Sequence, residues 1–457
     1  MTRAKEPWKS PLWRSGPSFL YSRWPPARYV GRPAAVFFKG EPATGIVLLA
    51  CAIVAMLWAN SSWSRSYTDL WAVEITFGVG DFVLSHTLGE WINDGLMVIF
   101  FFVVGLEIKS EIVVGELRHL RTAVTPIAAA IGGMAVPALI YTGCNLGGAG
   151  SDGWGIPMAT DIAFALGILA LFGSRIPAPA RIFLLTLAVV DDLGAIIVIA
   201  VFYTDRLSAA WLAAAAVLVL AAVAMRLLNV WSPPLYLVIG LAMWVAMLES
   251  GVHATIAGVV MGLLISAKPL FEPEAALAEA RRTAEGGLSA AETERLIRLA
   301  RNAASPAERL GVRFGPFSSF VVLPLFALAN AGMALSGDLL ADALGSTVTI
   351  GIAVGLVAGK FIGVAATTWL VVKTGLGRLP ESTSWPLMMG LAAVAGIGFT
   401  VALFITGLAF DDSGALTEEA KIGVLGGSIV AGALGTFVLS MAAPGRGEGR
   451  EGATGER

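Results

Sequence analysis

Charge is scarce in this chain. Lys, Arg, Asp and Glu supply only 14% of its 457 residues, against roughly 25% in soluble domains, so most of its length cannot form a water-facing surface. Cysteine is nearly absent as well. Cys51 and Cys144 each stand in or beside an apolar segment, which gives no spaced framework for disulfides or a cysteine metal site. No Gly-x-x-x-x-Gly-Lys-Ser/Thr loop is present to cradle nucleotide phosphates. Neither an ATP-driven reaction nor a nucleic-acid partner is expected. The segment from Met1 to Lys39 lacks a compact apolar core followed by a small-residue cleavage site, so it reads as a basic, disordered cytoplasmic arm rather than a signal peptide.

What the chain has is hydrophobicity: 56% of its residues are apolar and its mean hydropathy is +0.77. This composition predicts an all-α polytopic membrane protein. Apolar runs of spanning length fall near 42–60, 91–112, 121–143, 156–173, 178–203, 208–228, 233–249, 252–267, 316–334, 346–373, 386–410 and 417–442, about twelve transmembrane helices in a single domain over residues 40–442. A polar tail occupies 443–457. With the N-terminus inside, 27 of the 31 Lys and Arg residues fall on the cytoplasmic side; only Arg65, Arg206 and Lys421 fall on the other, and Lys360 lies within a span. That asymmetry predicts cytoplasmic N- and C-termini.

Two segments outside the spans have patterns of their own. Residues 71–86, "WAVEITFGVGDFVLSH", alternate around a Gly-Val-Gly-Asp turn and predict an external β-hairpin. A lone hairpin is only marginally stable, so it is expected to pair with a copy in a homodimer. Residues 268–313 mix Glu and Arg at helical spacing and predict one or two amphipathic helices on the cytoplasmic face.

Against this background, four ionisable residues lie deep in spans: Asp161, Asp191, Asp192 and Lys360. On insertion scales each carboxylate at a bilayer centre costs roughly 2.5–3.5 kcal/mol. Successive helical residues point about 100° apart, so Asp191 and Asp192 cannot face one way. One can face a water-filled cavity while the other meets Lys360, the one deep base. A purely structural Asp191–Lys360 ion pair is the plain alternative. It leaves two carboxylates unexplained, because one lysine cannot neutralise three. Unpaired buried carboxylates either hold protons or bind a hard cation such as Na+, and the two compete for the same oxygens.

Asp161, with Thr160, stands in the short segment "GIPMATDIAFALGILALFG", which contains Pro157, Gly167 and Gly173. A second Gly-punctuated segment, "MMGLAAVAGIGFTVALFITG", carries Gly390, Gly396 and Gly398. Paired interruptions in the two halves predict inverted repeats whose two broken helices cross at the midplane. Close packing is the plainer role for any single glycine.

Together "WINDGLMVIFFFVVGLEIKSE", "ATDIAFALGILALFGSRIP", "RIFLLTLAVVDDLGAIIVIAVFYT", "SGVHATIAGVVMG", "LPLFALANAG" and "AGIGFT" closely resemble bacterial Na+/H+ antiporters of the NhaA type, over about Phe37 to Met441. Transporters of that type are themselves a standard example of inverted repeats with broken helices. The resemblance implies a secondary transporter of the bacterial inner membrane, not an enzyme, that exports Na+ or Li+ in exchange for H+ by alternating access. It also implies electrogenic, pH-regulated exchange with no resident cofactor. Asp191 and Asp192 then match the essential aspartate pair, Asp192 being the more direct Na+ ligand. Lys360 matches a lysine that pairs with the first aspartate. Asp161 and Thr160 match the acid and hydroxyl at the helix crossing. Asp94, Glu107, Lys109, Glu111 and His253 match positions near the funnel or the pH response; a helix-end packing role for His253 is an equal alternative. Gly311 stands where the family commonly has a glutamate, with Glu308 three residues earlier, which predicts a flatter or displaced pH profile.

Other readings share these residues. A K+ or Ca2+ exchanger could use the same scaffold, and a sodium sensor differs only in lacking flux. An intramembrane aspartyl protease would need two aspartates sharing a proton. Neither Asp161 nor Asp192 stands in the Gly-x-Gly-Asp context of such enzymes, and that chemistry gives Lys360 no role.

Overall fold

The computed structural model describes residues 42–442 except 80–81, 205–206, 229, 231, 286–288 and 411–412. The predicted N-terminal arm, 1–39, and C-terminal tail, 443–457, lie outside the described residues. Nearly everything described is helix, as the composition requires.

The chain opens with α1 (Pro42–Ala59) and α2 (Ser64–Trp71), then strands β1 (Glu74–Val79) and β2 (Phe82–Thr87). The strands pair antiparallel, from Glu74 opposite Thr87 to Val79 opposite Phe82. Trp71 closes α2 instead of opening the hairpin, which is therefore shorter than 71–86. The second strand runs straight into the next span through a capping box: the Thr87 hydroxyl accepts from the Glu90 N–H at 3.2 Å, and the Glu90 carboxylate accepts from the Thr87 N–H at 2.7 Å. The Trp91 indole donates to the Ile75 carbonyl at 3.0 Å and holds the hairpin on this helix start.

The spans follow as α3 (Met97–Val113), α4 (Leu120–Asn145), α5 (Ile162–Leu171), α6 (Ala178–Phe202), α7 (Ala209–Leu227), α8 (Pro233–Leu248) and α9 (Thr255–Leu264). Two amphipathic helices, α10 (Pro273–Glu285) and α11 (Ala290–Ala303), pack on each other in the polar insertion. The second half contains α12 (Pro306–Phe317), α13 (Leu323–Asn330), α14 (Gly337–Gly345), α15 (Thr347–Val354), α16 (Lys360–Lys373), α17 (Trp385–Val394), α18 (Phe399–Ala409) and α19 (Gly414–Ala442).

Among the described residues, eight helical segments are long and apolar enough to cross a membrane, nine if α17 and α18, bent by 42°, count as one. The remaining predicted runs are helical too, but α3, α8 and α9 are shorter than that requirement. One boundary moves. The span placed at 316–334 starts at Pro306, where the Ser305 hydroxyl caps the helix by accepting from the Glu308 N–H at 3.1 Å. The polar insertion thus ends before 313.

Three π-helical stretches interrupt the spans: Trp91–Leu96, Ser318–Val322 and Gly355–Gly359. Such stretches occur often at functional sites, and the last ends immediately before Lys360. α16 packs tightly on α4 because small residues face each other there: a Cβ on Gly363 would collide with the Gly132 carbonyl. The periphery is apolar, as lipid contact demands. On α7 only Ala215 and Ala222 are buried, while Val217 and Leu220 stand open.

Candidate functional site

The centre of the bundle is where two helices come apart. The first run is 3-10 helical over Ser151–Met158, extended from Ala159 to Asp161, and α-helical again in α5. Its counterpart breaks at 395–398, between α17 and α18. The two breaks cross in direct contact. The Asp161 N–H donates to the Ile397 carbonyl at 2.6 Å, and the Thr160 hydroxyl lies 2.8 Å from the Ala395 carbonyl. Gly396 is needed for this approach, because a Cβ there would strike the Leu356 carbonyl of the π turn before Lys360.

Asp161 sits at the N-termini of two half-helices, α5 and α18. One of its oxygens accepts from the Phe164 N–H of α5 at 3.0 Å. The other accepts from the Thr400 N–H of α18 at 3.1 Å and from the Thr400 hydroxyl at 2.5 Å. One carboxylate therefore answers the partial positive ends of two helices. The Ser428 hydroxyl of α19 accepts from the Gly398 and Phe399 N–H groups at 3.3 and 3.2 Å and completes the α18 cap.

The adjacent aspartates are differently placed. Asp191, on α6, is fully buried and its Oδ2 accepts from the fully buried Lys360 ammonium of α16. The Thr160 hydroxyl lies 2.6 Å from the same oxygen. Thr160 has one proton and two acceptors, so it can serve Asp191 or Ala395 at a given moment. Asp191 Oδ1 has no partner, and neither has Asp192 Oδ1 nor Oδ2, all three being buried. Three carboxylate oxygens without partners beside one ammonium leave this spot short of cations by one charge. Buried charge left in that condition is costly unless a proton or cation joins it.

Among the described residues, none of the remaining sequence candidates hydrogen-bonds to the aspartate pair. Glu107 is exposed on α3, while Asp192 is 3% exposed. Lys109 and Glu111 continue that helix, and Glu111 accepts from the Glu116 N–H at 3.1 Å where the helix ends. The Asp94 carbonyl accepts from the Trp244 indole at 2.8 Å in the first π turn. His253 is elsewhere: its Nε2 meets the Tyr203 carbonyl.

Residues without an outstanding sequence signal complete the site. The Tyr203 hydroxyl donates to the Asp152 carbonyl at 2.6 Å and accepts from the Gly155 N–H at 3.1 Å. The Tyr141 hydroxyl donates to the Gly150 carbonyl at 2.6 Å. Two phenols thus hold the Ser151–Met158 half of the first broken helix. Thr400 is absent from the sequence candidates too, although the second interruption carries a threonine just as the first carries Thr160.

Similarity to known proteins agrees with this geometry. The family model described as Na+/H+ antiporter 1 matches residues 35–439. The chain belongs to the Na+/H+ antiporter 1 family. Relatives of similar length include "Na(+)/H(+) antiporter NhaA" of Rhodopirellula baltica, 45% identical over 90% of this chain and 94% of that protein. "Na(+)/H(+) antiporter NhaA 3" of Frankia alni is 47% identical over 89% of this chain and 88% of its own. "Na(+)/H(+) antiporter NhaA 2" of Sorangium cellulosum is 46% identical over 92% and 93%. The matched range of this antiporter family takes in both broken helices, the aspartate pair and Lys360. Among the described residues no group of three or more His, Cys, Asp or Glu side chains gathers into a metal centre.

Proposed function

We propose that this chain is a secondary Na+(Li+)/H+ antiporter in which Asp191 and Asp192 bind either the cation or protons, never both together. The observation that carries the reading is the set of three buried carboxylate oxygens without partners next to Lys360. Protonation removes the negative charge that a cation needs, so competition for these oxygens couples the two fluxes. A gradient of protons then drives export of Na+, and an exchange of more protons than sodium ions makes the cycle electrogenic.

Asp192 is the main cation ligand, and Asp191 is shared between the cation, Lys360 and Thr160. Glu107, with Asp94, Lys109 and Glu111, lines the approach from the cytoplasmic side. Cytoplasmic N- and C-termini in a bacterial inner membrane follow from the Lys and Arg asymmetry. The hairpin of β1 and β2, with Phe77 59% and Val83 57% exposed, serves as the dimer contact.

Chemistry favours a monovalent cation over Ca2+. Ca2+ takes six to eight oxygens, commonly from several carboxylates, and the pocket offers two carboxylates, one already engaged with Lys360. Geometry also speaks against an aspartyl protease, since both Asp161 oxygens are occupied by α5 and α18 donors. K+ selectivity and sensing without flux are separated by transport. Everted vesicles from antiporter-deficient bacteria carrying this chain are expected to lose their proton gradient on addition of Na+ or Li+, not K+, and to keep it with Asp192→Asn. No response to Na+ or Li+ at any pH would overturn the proposal.

A further inference from the structure

Far from the aspartates, a cavity of about 400 Å3 opens where α1 ends and α2 begins, with Ala59, Arg65, Tyr67, Met333, Leu339 and Glu418 among its walls. Its walls carry two charges of opposite sign, Glu418 and Arg65. Glu418 Oε1 takes the Lys421 ammonium at 3.2 Å, while Oε2 is buried and has no partner. Arg65 is exposed, and its guanidinium makes no hydrogen bond or ion pair among the described residues. A free guanidinium fork matches a phosphate, and a free carboxylate oxygen matches an ammonium.

Charge placement points the same way. Only Arg65, Arg206 and Lys421 fall on the face that the Lys and Arg asymmetry assigns to the outside. Arg65 lines this cavity and Lys421 pairs with its Glu418, on a face otherwise nearly free of basic residues. The cavity also lies at headgroup depth by its aromatic neighbours. Tyr67 packs edge-on against Trp58 and Trp71, with centroids 5.5 and 6.0 Å away, and Trp63 is 74% exposed. Tryptophan and tyrosine concentrate at the membrane–water boundary.

We propose that this cavity binds the headgroup of a phosphatidylethanolamine lipid, its phosphate on Arg65 and its ammonium on the Glu418 carboxylate. The apolar wall of Ala59, Met333 and Leu339 favours a lipid over a zwitterion drawn from water. On α1, which ends at Ala59, Leu49, Ile53 and Leu57 form an exposed stripe at four-residue spacing that suits acyl chains. Ethanolamine is selected over choline because Glu418 needs an N–H donor, and over glycerol because that headgroup offers no cation.

The test is native mass spectrometry of the purified full-length protein with phosphatidylethanolamine, phosphatidylcholine or phosphatidylglycerol of identical chains. Retention of phosphatidylethanolamine is expected to exceed that of the other two about tenfold, the value of one charge-assisted contact. Glu418→Gln should remove that preference, and Arg65→Ala should weaken all three lipids. Because Arg65 is exposed, its removal tests the site without threatening the fold. Equal retention of the three lipids by the wild type, or an unchanged preference in both variants, would overturn the proposal. Displacement of the lipid by an equal concentration of free O-phosphoethanolamine would assign the site to a soluble zwitterion and overturn it too.

Discussion

Two acidic neighbourhoods lie side by side in this bundle and are built on opposite rules. At Asp161 every oxygen is used: Phe164 and Thr400 supply three donors, and the carboxylate closes the ends of two half-helices. At Asp191 and Asp192 one oxygen is used and three are left without partners. The first carboxylate is a fixed part of the frame. The second pair is left open, and a site that must bind and release a cation has to be left so, because full internal satisfaction would hold it shut.

The sharpest way to break this contrast is to replace a carboxylate by its neutral isostere on each side. Asp192→Asn is expected to lower Na+-driven exchange about a hundredfold or more, the effect of losing a charged contact worth about 3 kcal/mol. Its melting temperature should hold or rise, because a buried unpaired charge has gone; a large loss of stability would contradict the assignment. Lys360→Met should destabilise the fold by about 3–5 kcal/mol, since Asp191 is then buried without its partner. Adding Asp191→Leu should restore the melting temperature but not exchange, which separates the structural from the transport role of the pair.

Asp161→Asn should show the reverse pattern to Asp192→Asn. Its amide N–H groups would face the donors of Thr400, costing about 1–3 kcal/mol in thermal unfolding, while the apparent affinity for Na+ changes much less than the rate. If Asp161→Asn instead abolished Na+ binding with no loss of stability, the two neighbourhoods would not differ as described. Tyr203→Phe removes one donor and one acceptor from the Ser151–Met158 half-helix and should cost about 1–2 kcal/mol, measured by the same unfolding.

The smallest expected effect is at Gly311. A Cβ there meets nothing within 4 Å, so Gly311→Glu fits on α12 and should stabilise it by up to about 1 kcal/mol. Exchange measured across a pH series is expected to turn on more steeply than in the wild type. An unchanged profile would show that Glu308 or another group sets it.

The contrast between these neighbourhoods is half legible in the sequence. Asp191, Asp192 and Lys360 stand out because charge in a spanning run carries a cost that composition alone exposes. The antiparallel hairpin and both interruptions are equally visible, from alternation and from glycine spacing. What the chain does not spell out locally is which carboxylate is satisfied. That depends on Thr400 and Ile397 meeting Asp161 across more than 230 residues, and no local pattern encodes such contacts. The start of the first broken helix at Ser151 is hidden for a related reason: its 3-10 turn is held by Tyr141 and Tyr203 from neighbouring spans rather than by helical periodicity. Among the described residues, eight to nine segments are long and apolar enough to cross a membrane, against about twelve predicted runs, because α3, α8 and α9 fall short of that length.

The most direct test is proton release from purified protein in a weakly buffered solution when Na+ is added. If Asp191 and Asp192 hold protons and cations in competition, each Na+ bound should displace protons, and Asp192→Asn should release none. Binding of Na+ by the wild type without any proton release would contradict competition for these oxygens, and with it the central account.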